Sequence, residues 1–418
     1  MRSLLRFLFC RGALGFLFEI HRIFSRDPSY SLLKGIMLGL HVLKNEKIIP
    51  YEGSLVISSF LPPLPSKALL TVIRAGRDKR QPFASLVELE RSAPLSIYLS
   101  VTDRCSYDCV YCSAKFAEQS EEKTTGQWIE LVSKLQAMGT ANIGFTGGEP
   151  LLRGDMEKII GSVSDSSTTV LFTNGHRLTL ERARSLKESG LMALSVSLDS
   201  HDPATHNRLR RNERAFEEAR RAIENASRTG LYTIVQAVII RQELVRSKVL
   251  ALCRLVEQLG AHEIRIHQPA PSGRLLGTMG ESDIFYTEAD REKLFSFQRL
   301  ANRQSSSRFK VTSFPYTEGP RKYGCTAGLF HSYVSTSGEL FPCDFIPISF
   351  GNVFAGDVQQ QWRKMADTIL RPRERCWAMA IGDGLADETL PLSPEKAVAF
   401  CTERRSQSFP AVYRRFHG

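Results

Sequence analysis

The stretch "LSVTDRCSYDCVYCSA", residues 99–114, places three cysteines in one short loop directly after a strand-like run. Cys105, Cys109 and Cys112 stand at positions i, i+4 and i+7, a spacing that allows their thiols to converge on one centre. A zinc site would need a fourth ligand close by, usually from a second CxxC pair. A [4Fe–4S] cluster ordinarily takes four cysteines, so three cysteines leave one iron open to a ligand from outside the protein.

Around this loop, strand-like and helix-like segments alternate along the chain. Strands are predicted at 95–101, 142–145, 168–172, 192–198, 233–240 and 263–267, and helices at 125–138, 214–227 and 247–259. Six βα units in series predict an α/β fold, with parallel strands and crossover helices in a partial or complete barrel. In such a fold the chemistry belongs to the C-terminal ends of the strands, which is where the cysteine loop lies.

The charge and cysteine content narrow the class of protein. The chain has 418 residues and a net charge of +11, and its length predicts two or three domains. Nine cysteines, an odd and clustered set, argue against a secreted disulfide framework and favour metal-binding thiols in a reducing cytoplasm. Residues 1–93 hold 14 Lys and Arg against 7 Asp and Glu, a basic balance suited to nucleic acid or an anionic membrane. No recognisable nucleic-acid-binding motif accompanies it.

The first segment, "MRSLLRFLFCRGALGFLFEIHRIF", is rich in Leu and Phe but is interrupted by Arg6, Arg11, Glu19 and Arg22. No charge-free run approaches the roughly 18 residues that cross a bilayer, and no small-residue cleavage site follows. Two interpretations stay open, an interfacial helix on a membrane surface and a terminal helix packed on its own domain. The predicted location is the cytoplasm, and the first of these interpretations would add peripheral contact to the inner face of the membrane.

Polar motifs follow the next three predicted strands. The second strand ends in "FTGGEP", where glycines let the backbone approach a ligand. The third ends in "FTNG", in which Asn174 either faces the site or forms an Asn-Gly turn. In the fourth, "LSVSLDS", the side chains of Ser195, Ser197 and Asp199 alternate and share one face. If that face lines the barrel interior, these polar groups need partners.

The "CxxxCxxC" spacing of the three loop cysteines and the "GGEP" motif at 147–150 resemble the radical S-adenosylmethionine (SAM) superfamily. The resemblance implies a [4Fe–4S] cluster whose open iron is chelated by the amino and carboxylate groups of SAM. One electron, from a flavodoxin- or ferredoxin-type donor, then cleaves the sulfonium to methionine and a 5′-deoxyadenosyl radical. The residues that the resemblance assigns to SAM are Tyr111 at the adenine, Gly147, Gly148 and Glu149 at the methionyl ammonium, and Ser197 and Asp199 at the ribose hydroxyls and the carboxylate. Asn174, if it faces the site, completes this predicted SAM-binding set. One arginine of "HNRLRR", residues 206–211, could also meet the carboxylate.

A second group of thiols lies in "CTAGLFHSYVSTSGELFPC", residues 325–343. Gly338 permits a turn, so the segment looks like a hairpin that brings Cys325 and Cys343 together. It resembles the start of SPASM and twitch domains, which carry auxiliary iron–sulfur clusters. The close run of further cysteines that a two-cluster SPASM domain has is missing. Cys376 and Cys401 remain, which is enough for one auxiliary [4Fe–4S] cluster.

Together these features predict three segments: an α-rich basic and apolar extension at 1–93, a (β/α)6 partial barrel at 94–305, and a SPASM/twitch-like auxiliary domain at 306–418. The resemblance implies an enzyme that abstracts a hydrogen atom from its substrate with the 5′-deoxyadenosyl radical. The substrate, a small molecule, lipid or peptide, is not fixed by the residues, and no catalytic side chain is assigned. The N-terminus favours a lipid-like or membrane-associated substrate. The alternatives are a peptide maturase, a nucleic-acid-modifying enzyme and a non-catalytic iron–sulfur or zinc-binding protein.

Overall fold

The computed structural model of the chain describes residues 7, 10, 12–58, 61–115, 121–280 and 283–414. The strands are β1 (Ile49–Tyr51), β2 (Ser54–Val56), β3 (Ser96–Ser100), β4 (Asn142–Thr146), β5 (Thr168–Thr173), β6 (Ala193–Ser197), β7 (Tyr232–Val238), β8 (Glu263–His267), β9 (Lys310–Ser313), β10 (His331–Val334) and β11 (Leu340–Phe341). The helices are α1 (Ala13–Phe24), α2 (Leu32–Leu43), α3 (Lys67–Arg74), α4 (Pro82–Val87), α5 (Thr125–Met138), α6 (Met156–Gly161), α7 (Leu180–Glu188), α8 (Pro203–Arg210), α9 (Ala215–Arg228), α10 (Arg246–Gln258), α11 (Glu288–Gln304), α12 (Phe314–Thr317), α13 (Val358–Ile369), α14 (Ala378–Ala386), α15 (Pro394–Glu403) and α16 (Ala411–Arg414).

Strands β3 to β8 are the six that the sequence predicts, and they are parallel neighbours in chain order. The predicted alternation of strands and crossover helices in a partial barrel is therefore confirmed. The ends differ by one or two residues. Strand β7 stops at Val238 rather than at residue 240, because Ile240 already begins the short 3₁₀ turn at Arg241–Glu243.

The sheet continues past the barrel strands on both edges. Its order is β11-β10-β3-β4-β5-β6-β7-β8-β9, with β9 parallel to β8, β10 parallel to β3, and β11 antiparallel to β10. Three strands after residue 305 thus belong to the same sheet as the barrel. The division of the chain at residue 305 stays a prediction, and the sheet runs across it.

Helix α5 shows how the local sequence builds the crossover units. Thr124 and Gln127 form a capping box at its start, and Gly139, with a φ of 107°, ends it in the left-handed region. Its buried side chains, Trp128, Leu131, Val132 and Leu135, recur at the spacing of one helix face. That face packs on the sheet core and fixes the strands whose ends carry the site.

The N-terminal extension closes the opposite end of the barrel. Strands β1 and β2 form an antiparallel pair, and Ile49 and Val56 pack in one apolar cluster with Val170, Ala193 and Tyr232 near the starts of β5, β6 and β7. The extension is therefore part of the folded barrel. Among the described residues, no helix is both long enough and apolar enough to cross a membrane.

Candidate functional site

The cysteine loop after β3 is joined to the glycine loop after β4 by backbone hydrogen bonds. The N–H of Gly148 donates to the carbonyl of Thr102 and the N–H of Glu149 to the carbonyl of Arg104, both at 2.7 Å. A Cβ atom on Gly147 would lie 2.3 Å from the Thr102 oxygen, and one on Gly148 would lie 2.2 Å from the Arg104 oxygen. Only glycine therefore permits this close approach of the two loops.

The three cysteines of the loop influence one another electrostatically. Cys105 as a whole is exposed, but surrounding protein atoms remove its thiol from water. This desolvation, together with the charges of Glu149, Cys109 and Cys112, raises the pKa of Cys105 to about 11. The amide Nδ2 of Asn174 lies 3.8 Å from the Cys105 sulfur. Three thiols that share one loop provide the donors that an iron–sulfur cluster takes.

Among the described residues, no three His, Cys, Asp or Glu side chains are already spaced as a finished metal site. The fit to a cluster therefore rests on the chemistry of the donors and on their surroundings. The Nη1 atom of Arg210 lies 3.8 Å from the Cys109 sulfur, so a cationic side chain contacts the cysteine loop. The Nη1 group that makes this contact is not used in the ion pair of Arg210 with Asp199.

Glu149 links the ends of two neighbouring strands from a fully buried position. Its carboxylate accepts hydrogen bonds from the N–H of Leu151 at 3.0 Å, the N–H of Asn174 at 2.7 Å and the hydroxyl of Thr173 at 2.8 Å. Burial raises the pKa of Glu149 to about 7 despite these three donors. A carboxylate offers about four acceptor positions, so most of its capacity is already used within the protein.

Asn174 combines the two roles that the sequence left open. Its Oδ1 atom accepts a hydrogen bond from the N–H of His176 at 2.8 Å, which forms the turn, and its Nδ2 atom points to Cys105. Gly175 follows with a φ of 92° and lies close to Ala222 of α9. The turn therefore fixes the amide at the cysteine loop.

Asp199 lies at the centre of a buried ion pair. Its carboxylate accepts two hydrogen bonds from Arg210, at 2.6 and 2.8 Å, and one from the N–H of Val238 at 2.8 Å. The hydroxyl of Tyr111 donates to the same carboxylate. Burial would raise the pKa of Asp199, but Arg210 and His206 outweigh it and hold the pKa well below its ordinary value. Asp199 is thus an anion, and its carboxylate orients Tyr111 and Arg210.

Helix α8 explains which arginine of "HNRLRR" faces the site. His206 and Arg210 are four residues apart, so both lie on the buried face of the helix, whereas Arg208 and Arg211 are exposed. The guanidinium of Arg210 also lies over the ring of Tyr111, 5.5 Å from its centroid. His206 was not predicted, and its i, i+4 spacing from Arg210 was the signal that could have identified it.

Ser195 and Ser197 lie on the same face of β6, with Asp199 two residues further along the chain. Ser195 is buried, and its hydroxyl has no hydrogen-bond partner within the described part of the chain. Ser197 is half-buried at the end of the strand, where it pairs with Gln236 of β7. The barrel interior therefore presents unused polar capacity below the cysteine loop.

The C-terminal thiols meet beside the predicted hairpin, which the structure contains. Tyr333 and Val334 of β10 pair with Phe341 and Leu340 of β11, and Gly338 turns the chain with a φ of 102°. Three cysteines line one cavity of about 120 Å³, namely Cys325, Cys343 and Cys376. Burial raises the pKa of each of these thiols, and each also lies within electrostatic range of another.

Cys401 is placed differently from the other three C-terminal cysteines. It is fully buried on α15, it does not line this cavity, and the charges that act on its thiol are those of Arg373 and Arg404. Arg373 lies next to Cys325, because the two residues exchange backbone hydrogen bonds of 2.7 and 3.0 Å. The structure thus brings together three of the four predicted auxiliary thiols.

The same cavity reaches into the barrel. Its walls include Tyr98 of β3, Phe172 of β5, Gln236 of β7 and Arg265 of β8, all of which are strand residues of the barrel sheet. The lining is largely aromatic and aliphatic, with a few polar groups. It connects the barrel interior with the C-terminal thiols, a juxtaposition that depends on β10 pairing with β3.

Two further polar side chains, which sequence reasoning missed, line this cavity. The imidazole of His267 stacks on Phe314 at 4.4 Å, and its Nε2 atom has no hydrogen-bond partner in the described ranges. Burial lowers the pKa of His267 to about 4, so the ring is neutral at pH 7. Burial also raises the pKa of Glu318 well above its ordinary value. These two side chains add hydrogen-bonding groups to a cavity whose walls also carry Arg265 and Asp344.

Comparison with known proteins supports the assignment that the cysteine spacing suggests. Residues 99–247 match the model of the Radical SAM superfamily. The chain is 27% identical over 288 residues to a protein of Nitratidesulfovibrio vulgaris named AdoMet-dependent heme synthase, an alignment that covers 63% of this chain and 77% of the relative. It is 25% identical over 295 residues to a protein of the same name from Methanosarcina barkeri, covering 65% and 82%.

Solved structures show the same fold at lower identity. Streptococcus suis SuiB bound to precursor peptide SuiA aligns with a TM-score of 0.57 and 16% identity, covering 76% of this chain and 81% of that one. The enzyme anSMEcpe with bound AdoMet and a peptide aligns with a TM-score of 0.54 and 17% identity, covering 74% and 96%. Residues 99–247 are therefore similar to the radical SAM superfamily, whose enzymes use a [4Fe–4S] cluster and S-adenosylmethionine.

Proposed function

We propose that this enzyme abstracts a hydrogen atom from a substrate held in the cavity between the barrel interior and the C-terminal thiols. The observation that supports this proposal most strongly is the cavity itself, whose walls combine Tyr98 and Phe172 of the barrel with Cys325, Cys343 and Cys376. A [4Fe–4S] cluster held by Cys105, Cys109 and Cys112 would supply one electron for cleavage of the SAM sulfonium, with methionine released, and the hydrogen atom taken from the substrate would leave in 5′-deoxyadenosine. A substrate in this cavity would lie inside a barrel wall that excludes water.

The proposed roles follow from the contacts. Cys105, Cys109 and Cys112 hold the cluster. Asp199 is a positioning residue, because its carboxylate holds Tyr111 and Arg210 in place.

Tyr111 offers its ring to the adenine, and Arg210 has donor capacity left for a carboxylate. Glu149 keeps the loops after β4 and β5 in register, and Gly147 and Gly148 let the glycine loop approach the cysteine loop closely. The backbone carbonyls of this glycine loop are proposed to accept hydrogen bonds from the methionyl ammonium. Asn174 and Ser197 are the remaining polar groups proposed to contact SAM.

Cys325, Cys343 and Cys376 are proposed to hold one auxiliary [4Fe–4S] cluster, because they share a cavity and iron–sulfur clusters are held by thiolates. Cys401 stays a weaker candidate, since its thiol lies outside that cavity. Electrons would come from a flavodoxin- or ferredoxin-type donor.

The proposed substrate is lipid-like or membrane-associated. The cavity lining is mostly apolar, as a site for hydrocarbon requires, and His267 offers an unpartnered nitrogen for a single polar group. A peptide substrate is the second candidate, and two structures of the same fold contain a bound peptide. Since those structures are 16% and 17% identical, they support the fold and leave the substrate open.

The test is anaerobic incubation of the full chain with reductant and SAM, with and without a total cell-lipid extract, followed by quantification of 5′-deoxyadenosine. The proposal predicts that lipid stimulates 5′-deoxyadenosine release. It also predicts that deuterium from a deuterated lipid pool appears in the 5′-deoxyadenosine. A total peptide digest serves as the matched addition. Stimulation by the digest alone would overturn the lipid assignment, and no release under any condition would overturn the radical chemistry.

A further inference from the structure

We propose that helices α1 and α2 form a docking face for an anionic lipid membrane. The exposed large apolar side chains of these helices, here called the N-terminal apolar face, are Leu14, Leu17, Phe18, Leu32, Leu33, Ile36 and Leu40. These make up seven of the nine large apolar side chains that are exposed in the described residues. The face is therefore a concentration of apolar surface that the remainder of the described chain does not show.

Helix α2 reverses the usual relation between hydrophobicity and burial. Its sequence, "LLKGIMLGLHVL", has one charged residue, Lys34, yet its only buried residue is His41. Leu32 and Leu33 are 71% and 68% exposed. A helix of a globular protein ordinarily turns its apolar stripe to the core. Leu38 packs against the core, whereas the exposed apolar side chains of α2 are directed away from the core of the chain.

Helix α1 already has its contacts with the protein on its other side. Phe16 packs edge-on against Phe7, and Phe24 stacks on Tyr30 and packs edge-on against Phe83. The side chains of Leu14, Leu17 and Phe18 on the same helix are exposed and make none of these aromatic contacts. The described part of this segment thus packs on its own domain, and the interfacial role stays a proposal. Residues 1–6, 8, 9 and 11 lie outside the described residues.

A hydrogen-bonded clamp holds α2 at one end. The buried ammonium of Lys322 donates to the carbonyls of His41, Val42 and Lys44 at 2.8 to 3.2 Å and pairs with Glu46 at 3.0 Å. The C-terminal end of α2 is thereby attached to the chain that follows β9. Its first two turns, which carry most of the exposed leucines, need no repacking to meet a surface.

The charges near the face select an anionic partner. The segment 12–47 contains five basic residues, which are Arg22, Arg26, Lys34, Lys44 and Lys47. It contains three acidic residues, which are Glu19, Asp27 and Glu46. Asp27 is buried and accepts hydrogen bonds from the N–H groups of Phe83 and Ala84, and Glu46 is paired with Lys322. Glu19 pairs with Arg22 and Arg74. The three acids thus have partners within the fold, whereas Arg26, Lys34 and Lys44 are exposed.

Apolar side chains beside Lys and Arg are the composition of a helix that lies in the interface of an anionic bilayer. A protein partner is less well matched, because the cores of protein interfaces are depleted in Lys and enriched in Tyr and Trp. The N-terminal apolar face contains five Leu, one Ile and one Phe. The observations therefore favour a lipid surface over a protein.

The docking face is independent of the radical chemistry and agrees with the proposed substrate pool. The test uses the full chain and sedimentation with vesicles of phosphatidylglycerol and phosphatidylcholine, compared with vesicles of phosphatidylcholine alone. The proposal predicts binding to the anionic vesicles that weakens as NaCl is raised. The double variant Leu33→Gln, Ile36→Gln should bind the anionic vesicles at least about tenfold more weakly than the wild type, since it removes two apolar side chains from the interface.

The matched control is Val245→Gln, Leu370→Gln, which changes the two exposed large apolar residues outside the face. It should bind vesicles like the wild type. Both variants should keep the circular dichroism spectrum and the substrate-free 5′-deoxyadenosine release of the wild type, so that loss of docking is separate from loss of chemistry. Equal binding of wild type and Leu33→Gln, Ile36→Gln would overturn the proposal. A wild type that dimerises in solution, with a monomeric variant, would overturn it in favour of a second copy.

Discussion

The buried ion pair between Asp199 and Arg210 provides the sharpest test of how the site is built. Both side chains are buried, and the carboxylate is bound by two guanidinium nitrogens, one backbone N–H and the hydroxyl of Tyr111. Asp199→Asn leaves the guanidinium buried without its counter-ion. Removing one partner of a buried pair costs about 3–5 kcal/mol. We expect the free energy of unfolding to fall by that amount at pH 7.

Equilibrium urea unfolding of the apo protein measures this change. The matched control is Asp108→Asn, because Asp108 pairs with Arg211 and Arg274 at positions where its side chain is 48% exposed. An exposed pair contributes about 0–1 kcal/mol, so this control should be nearly neutral. The double variant Asp199→Asn, Arg210→Met leaves no charge buried and should lose less than the sum of the single changes.

The pH dependence has a defined sign. Because the folded pKa of Asp199 is lowered, its contribution is fully present above the unfolded pKa of about 3.9 and is lost as pH falls toward the folded value. The difference between the wild type and Asp199→Asn should therefore be constant from pH 7 to 5 and should shrink below about pH 4. A loss of under about 1 kcal/mol at pH 7 would refute the ion pair as a structural element of the site.

Three further predictions concern the loops and the second group of thiols. Gly148→Ala should displace the cysteine loop and lower iron content and SAM affinity, whereas Gly154→Ala, where a Cβ meets nothing within 4 Å, should behave as the wild type in both assays. Because burial raises the pKa of Glu149 to about 7, the apo protein should lose stability as pH rises from about 4.3 to 7, and Glu149→Gln should abolish that slope in urea unfolding. The reconstituted wild type should hold about eight irons, four per cluster, and Cys376→Ala should hold about four whereas Cys401→Ala keeps eight. A count unchanged by Cys376→Ala would remove the auxiliary cluster from the account.

The alternation of the barrel could be predicted from sequence because each unit is locally determined. The predicted helix at 125–138 coincides with α5, whose ends are fixed by the Thr124 capping box and by Gly139. The joining of β10 to β3 could not be predicted, since it pairs His331 with Ser96, more than 200 residues earlier in the chain. The packing of β1 and β2 against the barrel could not be predicted either. Their apolar side chains are buried only by contact with strands β5, β6 and β7, which lie far along the chain.

The spacing of the three loop cysteines is a local signal that predicts their shared role, and this assignment stays a prediction. The site could not be resolved where the answer depends on the direction of a side chain. Arg210 is one of three arginines in four residues, and only the register of α8 directs it inward. Cys376 and Cys401 are both isolated in sequence, and only the structure distinguishes them, because Cys376 lines the cavity and Cys401 does not.

The central claim is that Cys105, Cys109 and Cys112 support reductive cleavage of SAM. The most direct test measures 5′-deoxyadenosine per chain after anaerobic incubation with dithionite and SAM, for the wild type and for the variant with all three cysteines changed to Ala. The matched control is Cys253→Ala, which alters a buried cysteine on α10. We expect the wild type and the control to form 5′-deoxyadenosine and the triple variant to form none. Undiminished formation by the triple variant would contradict the account.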